Sequence, residues 1–102
     1  MFILSMEGNN LMINIVKSTK YCNILKQAKI QDGENVYAIE EIYIKELKRI
    51  EVRFAWYKIN GNGEERYIMN ALDLEKESLF ELLNKAIEVG IFTKEQFQAL
   101  SN

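Results

Sequence analysis

The residues able to do chemistry in this chain are few, and their spacing does not assemble them. Ser5, Ser18, Ser78 and Ser101 carry hydroxyls, but the chain has no histidine. The Ser–His and Cys–His pairs that activate a nucleophile are therefore missing, along with the usual general base. The acids Glu40-Glu41 and Glu64-Glu65 are adjacent in sequence. On a strand, neighbours point to opposite faces, so such pairs make poor acid/base partners. Nothing in the spacing selects a lysine- or tyrosine-based mechanism. With no histidine and a single cysteine, Cys22, an ordinary zinc site is nearly excluded. The expectation is a protein that is not an enzyme and uses no metal or cofactor.

What remains is chemistry of binding. Arg53 and Tyr57 lie four residues apart on a predicted strand, so they share a face. Tyr37 and Tyr43, on the neighbouring predicted strand, are expected to join them there. As a partner-binding set, Tyr37, Tyr43, Arg53 and Tyr57 have the composition of a protein–protein hot spot. The same ingredients suit single-stranded nucleic acid, where bases stack on rings and cations meet phosphates. For that reading the candidates are Arg53 and Tyr57 with Lys17, Lys20, Lys26 and Lys29. Tyrosine also simply suits an exposed sheet face, covering it with apolar area while its hydroxyl stays wet. Asn60-Gly61-Asn62-Gly63 is a poor phosphate cradle, because a strand and not a helix follows it.

The elements that position these residues centre on the stretch 49–89. Ile50, Val52, Phe54 and Trp56 alternate with Glu51, Arg53, Ala55 and Tyr57, the period of a strand. The apolar set is expected to face inward, beneath a helix carrying Leu79, Leu82, Leu83, Ala86 and Ile87 at helical spacing. That helix is predicted over 74–89, with Asp73 as N-cap and Gly90 as the left-handed residue after its end. The glycine turn 60–63 links the strand to a return strand over 66–72. Upstream, Tyr21, Ile24, Leu25 and Ala28 fit a helix, but the lack of helix caps and the Asp32-Gly33 turn directly after favour a strand over 22–30, turning there into a strand over 35–44. On the latter, Val36, Ala38, Ile42 and Ile44 share one face, with Glu40 interrupting it. Residues 17–20 read as a polar loop. Downstream, Thr93 and Gln96 form a capping-box pair flanked by Phe92 and Phe97, which predicts a short last helix over 94–100. That helix is expected to fold Phe97 and Leu100 onto the first.

The fold class implied is α+β: an antiparallel meander of four to five strands, one long C-terminal helix on one face and a short final helix. Residues 12–102 form one domain. Residues 1–11 read either as an extension upstream of a native start at Met12 or as an extra strand from Phe2 to Met6. The first reading rests on the Glu7-Gly8 codons, which can spell a purine-rich ribosome-binding sequence.

At 102 residues the chain suffices for one modest core. Hydrophobic content of 48% with 27% charged residues marks a globular domain and not a disordered one. A net charge of −2 rules out a polycation that clamps duplex DNA. The charge is nonetheless polarised, with lysines and no acid over 8–31 and an acidic excess over 64–95. A lone cysteine favours a reducing, cytoplasmic setting and a buried thiol. No apolar run is long enough to span a bilayer.

In the order of its elements, the chain resembles the PC4-like single-stranded-DNA-binding fold, a ββββα arrangement that dimerises through its helix. The resemblance lies in Glu51–Trp56, the glycine turn and Leu72-Asp73-Leu74. It implies single-stranded nucleic acid as the alternative partner and a homodimer as the assembly, although the basic strand residues of such proteins are sparse here. The first expectation is a small interaction protein that docks onto another protein. Accessory or inhibitory factors of phages and mobile elements are often chains of this kind.

Overall fold

The computed structural model describes the backbone of residues 5–7 and 10–12 and the whole of 15–101. Strands β1 (Ser5–Glu7) and β2 (Asn10–Met12) pair with each other as a separate two-stranded sheet. The expected strand from Phe2 to Met6 falls partly outside the described residues.

The main sheet has five antiparallel strands in sequence order. They are β3 (Lys17–Ser18), β4 (Cys22–Asp32), β5 (Asn35–Ile44), β6 (Arg49–Ile59) and β7 (Glu65–Tyr67). Residues 17–20, expected as loop, begin with the short strand β3. The return strand, expected to reach 72, pairs only over Glu65–Tyr67. Helix α1 spans Lys76–Glu88 and α2 spans Lys94–Leu100. The fold is thus α+β, a meander followed by a long and a short helix.

Register fixes the two faces. Ala28, Ile39 and Phe54 stand side by side across β4, β5 and β6. Ala28 and Ile39 pack with Leu82, Ala86 and Ile91 in one cluster, so this is the helix side. Glu40 and Arg53 stand side by side on the other face. That face is concave. A Lys29–Glu65 ion pair of 3.0 Å joins β4 to β7 across two intervening strands. Three strand spacings would separate them by about 14 Å in a flat sheet, too far for the two side chains to meet. A bulge between Ile24 and Lys26 lets Cys22 and Ile24 share this concave face with Gln27 and Lys29.

The local signals explain the helix ends. Gly90 has a φ of +84°. Gly90 N–H reaches Ile87 C=O and Ile91 N–H reaches Ala86 C=O, the paired bonds of a Schellman motif. Ile91 is thereby carried into the core at 8% exposure. The N-terminus differs from expectation: the N-cap is Glu75, without a side-chain capping bond, and not Asp73. Leu74, still ahead of the helix, packs against the Ala28–Ile39 cluster. In α2 both capping-box bonds form, Gln96 N–H to Thr93 Oγ1 at 3.2 Å and Thr93 N–H to Gln96 Oε1 at 2.9 Å. Phe92 and Phe97 meet edge to face at 5.6 Å. Leu100 stays 79% exposed, so only Phe97 of the expected pair is drawn in.

Candidate binding surfaces

Where α1 lies decides which surfaces are open. Its tertiary contacts are with β4 and β5. Ile50, Val52, Phe54 and Trp56 do point to the helix side, but the helix does not extend over β6. Ile50 is 57%, Val52 42% and Phe54 50% exposed. Trp56 is half-buried, its Nε1–H donating to Asn35 Oδ1 at 3.0 Å with Lys58 over its ring. The expectation that this set forms the core beneath the leucines is therefore corrected. The leucine ridge finds its partners one and two strands away, because small Ala28 beside Ile39 leaves room for Leu82 and Ala86. Phe54 instead borders an open groove of about 640 Å³ with Leu72, Leu74 and Leu79.

The concave face holds the opposite arrangement. Glu40 is fully buried. Its Oε1 accepts from Arg53 Nε at 2.7 Å. Its Oε2 accepts from Tyr57 Oη–H and from Gln27 Nε2–H, each at 2.6 Å. Apolar clusters flank it: Val36, Ala38, Ala55 and Tyr57 on one side, Cys22, Ile24, Ile42 and Ile44 on the other. A carboxylate in such surroundings is tolerated only when paired and hydrogen-bonded. Burial works against the charge on Arg53, but the hydrogen bond and charge of Glu40 outweigh it and raise the guanidinium pKa. Burial, reinforced by the hydrogen bond to Glu40 and its charge, pushes the Tyr57 hydroxyl well above its usual range. Tyr57 is therefore a neutral donor at physiological pH. With Glu40 sealed from solvent and Tyr57 held neutral, the network braces the sheet and offers no accessible acid, base or nucleophile.

Above it, the concave face opens in a cavity of about 210 Å³ whose lining includes Lys17, Tyr21, Arg53, Tyr57 and Tyr67. The Arg53 guanidinium lies 5.1 Å from the Tyr67 ring centroid, and Lys17 lies 6.0 Å from that of Tyr57. The two tyrosine rings are tilted at 5.6 Å.

The residues singled out from sequence are thus divided. Arg53 and Tyr57 share the concave face, Arg53 partly and Tyr57 almost fully enclosed. Tyr37 pairs with Trp56, and Tyr43 with Ile50, so both lie on the helix side. The four do not form one platform. Among the lysines, Lys17 reaches the concave cavity and Lys29 pairs with Glu65. Lys26 is on the helix side, bonded to Gly90 C=O at 3.0 Å, and Lys20 lies exposed before β4. Sequence reasoning missed Gln27, Glu40, Tyr21 and Tyr67. Only Glu40 carried a signal, as the one acid within an otherwise apolar alternation. The glycine turn is organised by Asn60, whose Oδ1 accepts from the N–H groups of Asn62 and Glu64, leaving those donors engaged internally. Cys22 is a buried free thiol.

Among the described residues, no cluster of His, Cys, Asp or Glu has the makings of a metal site, and no helix is long and apolar enough to cross a membrane. No protein-family model, curated protein or solved structure matches the chain.

Proposed function

We propose that this protein is a small non-enzymatic interaction module that docks onto another protein through the helix-side face of β6. The observation that carries this reading is the open apolar stripe of Ile50, Val52 and Phe54, at 57%, 42% and 50% exposure on alternate positions of one strand. Covering one large apolar side chain contributes roughly 1.5–3 kcal/mol, so three in a row supply the core of a specific interface. The groove beside Phe54 offers an inserted side chain a seat. An accessory or inhibitory factor of the kind mobile elements carry suits a chain with such a surface. The test is capture from the source cell by immobilised protein, comparing wild type with the Ile50→Asp/Phe54→Ser double variant and with Tyr67→Ala on the opposite face. The reading expects a partner retained by Tyr67→Ala and lost with the double variant. A partner retained by the double variant contradicts it.

A second reading, single-stranded nucleic acid at the concave cavity, is favoured by Arg53 over the Tyr67 ring with Lys17 beside Tyr57. Ring faces and cations at that spacing match base stacking with phosphate contact. A gel shift with short DNA and RNA oligonucleotides decides it. Binding must appear at low salt and weaken steeply as salt rises. No shift at low salt removes this reading.

A further inference from the structure

β6 runs for eleven residues, yet β7 pairs only with Tyr57, Lys58 and Ile59 at its far end. Ile68 N–H adds one bond to Trp56 C=O. From Arg49 to Ala55 that edge of β6 has no partner among the described residues. Trp56 C=O faces this edge, and Ile59 N–H faces the opposite way, to Glu34 C=O. Backbone groups alternate along a strand, so the N–H and C=O groups of Ile50, Val52 and Phe54 also face the free edge. An edge of this length, with an apolar stripe beside it, is a template for another strand unless charge or proline blocks it. The sequence has no proline, and the stripe positions carry no charge.

We infer that this edge pairs with β6 of a second copy, antiparallel, about a two-fold axis through Val52. The sequence Arg49-Ile50-Glu51-Val52-Arg53-Phe54-Ala55 selects that register. An axis at Glu51 sets two acids face to face, and an axis at Arg53 sets two guanidinium groups face to face, both unfavourable. An axis at Ile50 overlaps only the first few residues of each strand, and an axis at Phe54 runs into Trp56, whose carbonyl is taken by Ile68. The axis at Val52 opposes Val52 to Val52, Ile50 to Phe54 and Glu51 to Arg53. Residues with outward backbone groups then meet residues with outward backbone groups, giving about six intermolecular hydrogen bonds. The two sheets merge into one, and the two apolar stripes lie side by side as a single two-fold patch. Edge pairing leaves the face of that patch open, so the inference does not depend on the docking reading.

The test uses the opposition of residue 52 to itself. Multi-angle light scattering of the wild type over about 1–500 µM spans the range in which an interface of this modest size associates. It should show mass rising from 12.0 kDa toward twice that value. Val52→Lys and Val52→Glu should each stay monomeric across the range, with circular dichroism unchanged. Mixed in equal amounts, they should dimerise again, because each lysine then faces a glutamate. A wild type monomeric throughout overturns the pairing, as does Val52→Lys dimerising like wild type or a mixture that stays monomeric. A monomer that still captures a partner through the stripe sinks the self-pairing and leaves the docking reading standing. A wild-type dimer that captures nothing does the reverse.

Discussion

The concave face of β6 carries Arg53 and Tyr57 and is covered, whereas its other face carries Ile50, Val52 and Phe54 and is open. The polarity of a strand face therefore does not by itself say which face is inside. Two neighbours decide it here. Glu40, on β5, supplies an acceptor that makes burial of Arg53 and Tyr57 tolerable. The helix finds its cover over β4 and β5, where Ala28 lets Leu82 come close, and leaves β6 bare. The closed face carries the buried hydrogen-bond network, and the open one carries the exposed stripe proposed above for docking.

The contrast is broken most severely at Glu40. Glu40→Ala leaves Arg53, Tyr57 and Gln27 without their shared acceptor inside the sheet. The expected loss is about 3–5 kcal/mol, the cost of stripping one partner from a buried ion pair, read as a fall in the urea midpoint. That is a large share of the stability of a small domain.

Tyr57→Phe is expected to cost less, about 1.5–3 kcal/mol, because Arg53 and Gln27 still satisfy the carboxylate. It also carries a pH signature. The folded protein holds the Tyr57 proton more tightly than the unfolded chain does. The stabilisation is complete below the ordinary tyrosine value of about 10 and is lost as pH rises from there toward the higher folded value. Wild type should therefore lose stability above pH about 10 more steeply than Tyr57→Phe. Parallel denaturation curves for the two proteins across that range would contradict the assignment.

On the open face the same strand should be nearly indifferent. Phe54→Ser, measured in dilute solution where the chain is monomeric, should change stability by no more than about 0.5–1 kcal/mol, despite removing an aromatic ring. A loss of the size seen for buried aromatics, about 3–5 kcal/mol, would place Phe54 in a core and erase the contrast.

Much of the fold was legible because its signals are local. The Asp32-Gly33 turn, the alternation over 35–44, Gly90 after α1 and the Thr93–Gln96 box each act within a few residues, and each appears as expected. Strand period told which residues of β6 share the helix side, but which face is covered was not legible, since that depends on where a helix some twenty residues later settles and on hydrogen bonds between strands. The candidate site was half legible for the same reason. Arg53 and Tyr57 share a face by strand period, but Tyr37 and Tyr43 were assigned to it without knowledge of the register that sets them opposite Trp56 and Ile50. Glu40 stood out as an interruption, and its meaning emerged only when Arg53 was placed across from it.

The inside-out reading of β6 is tested most directly by thiol labelling of three single variants, Val52→Cys, Phe54→Cys and Ala55→Cys, in dilute native protein, with Cys22 buried and silent. The account predicts fast modification at positions 52 and 54, and modification at position 55 only as fast as the whole domain unfolds. Fast labelling at 55 with protection at 52 and 54 would contradict it.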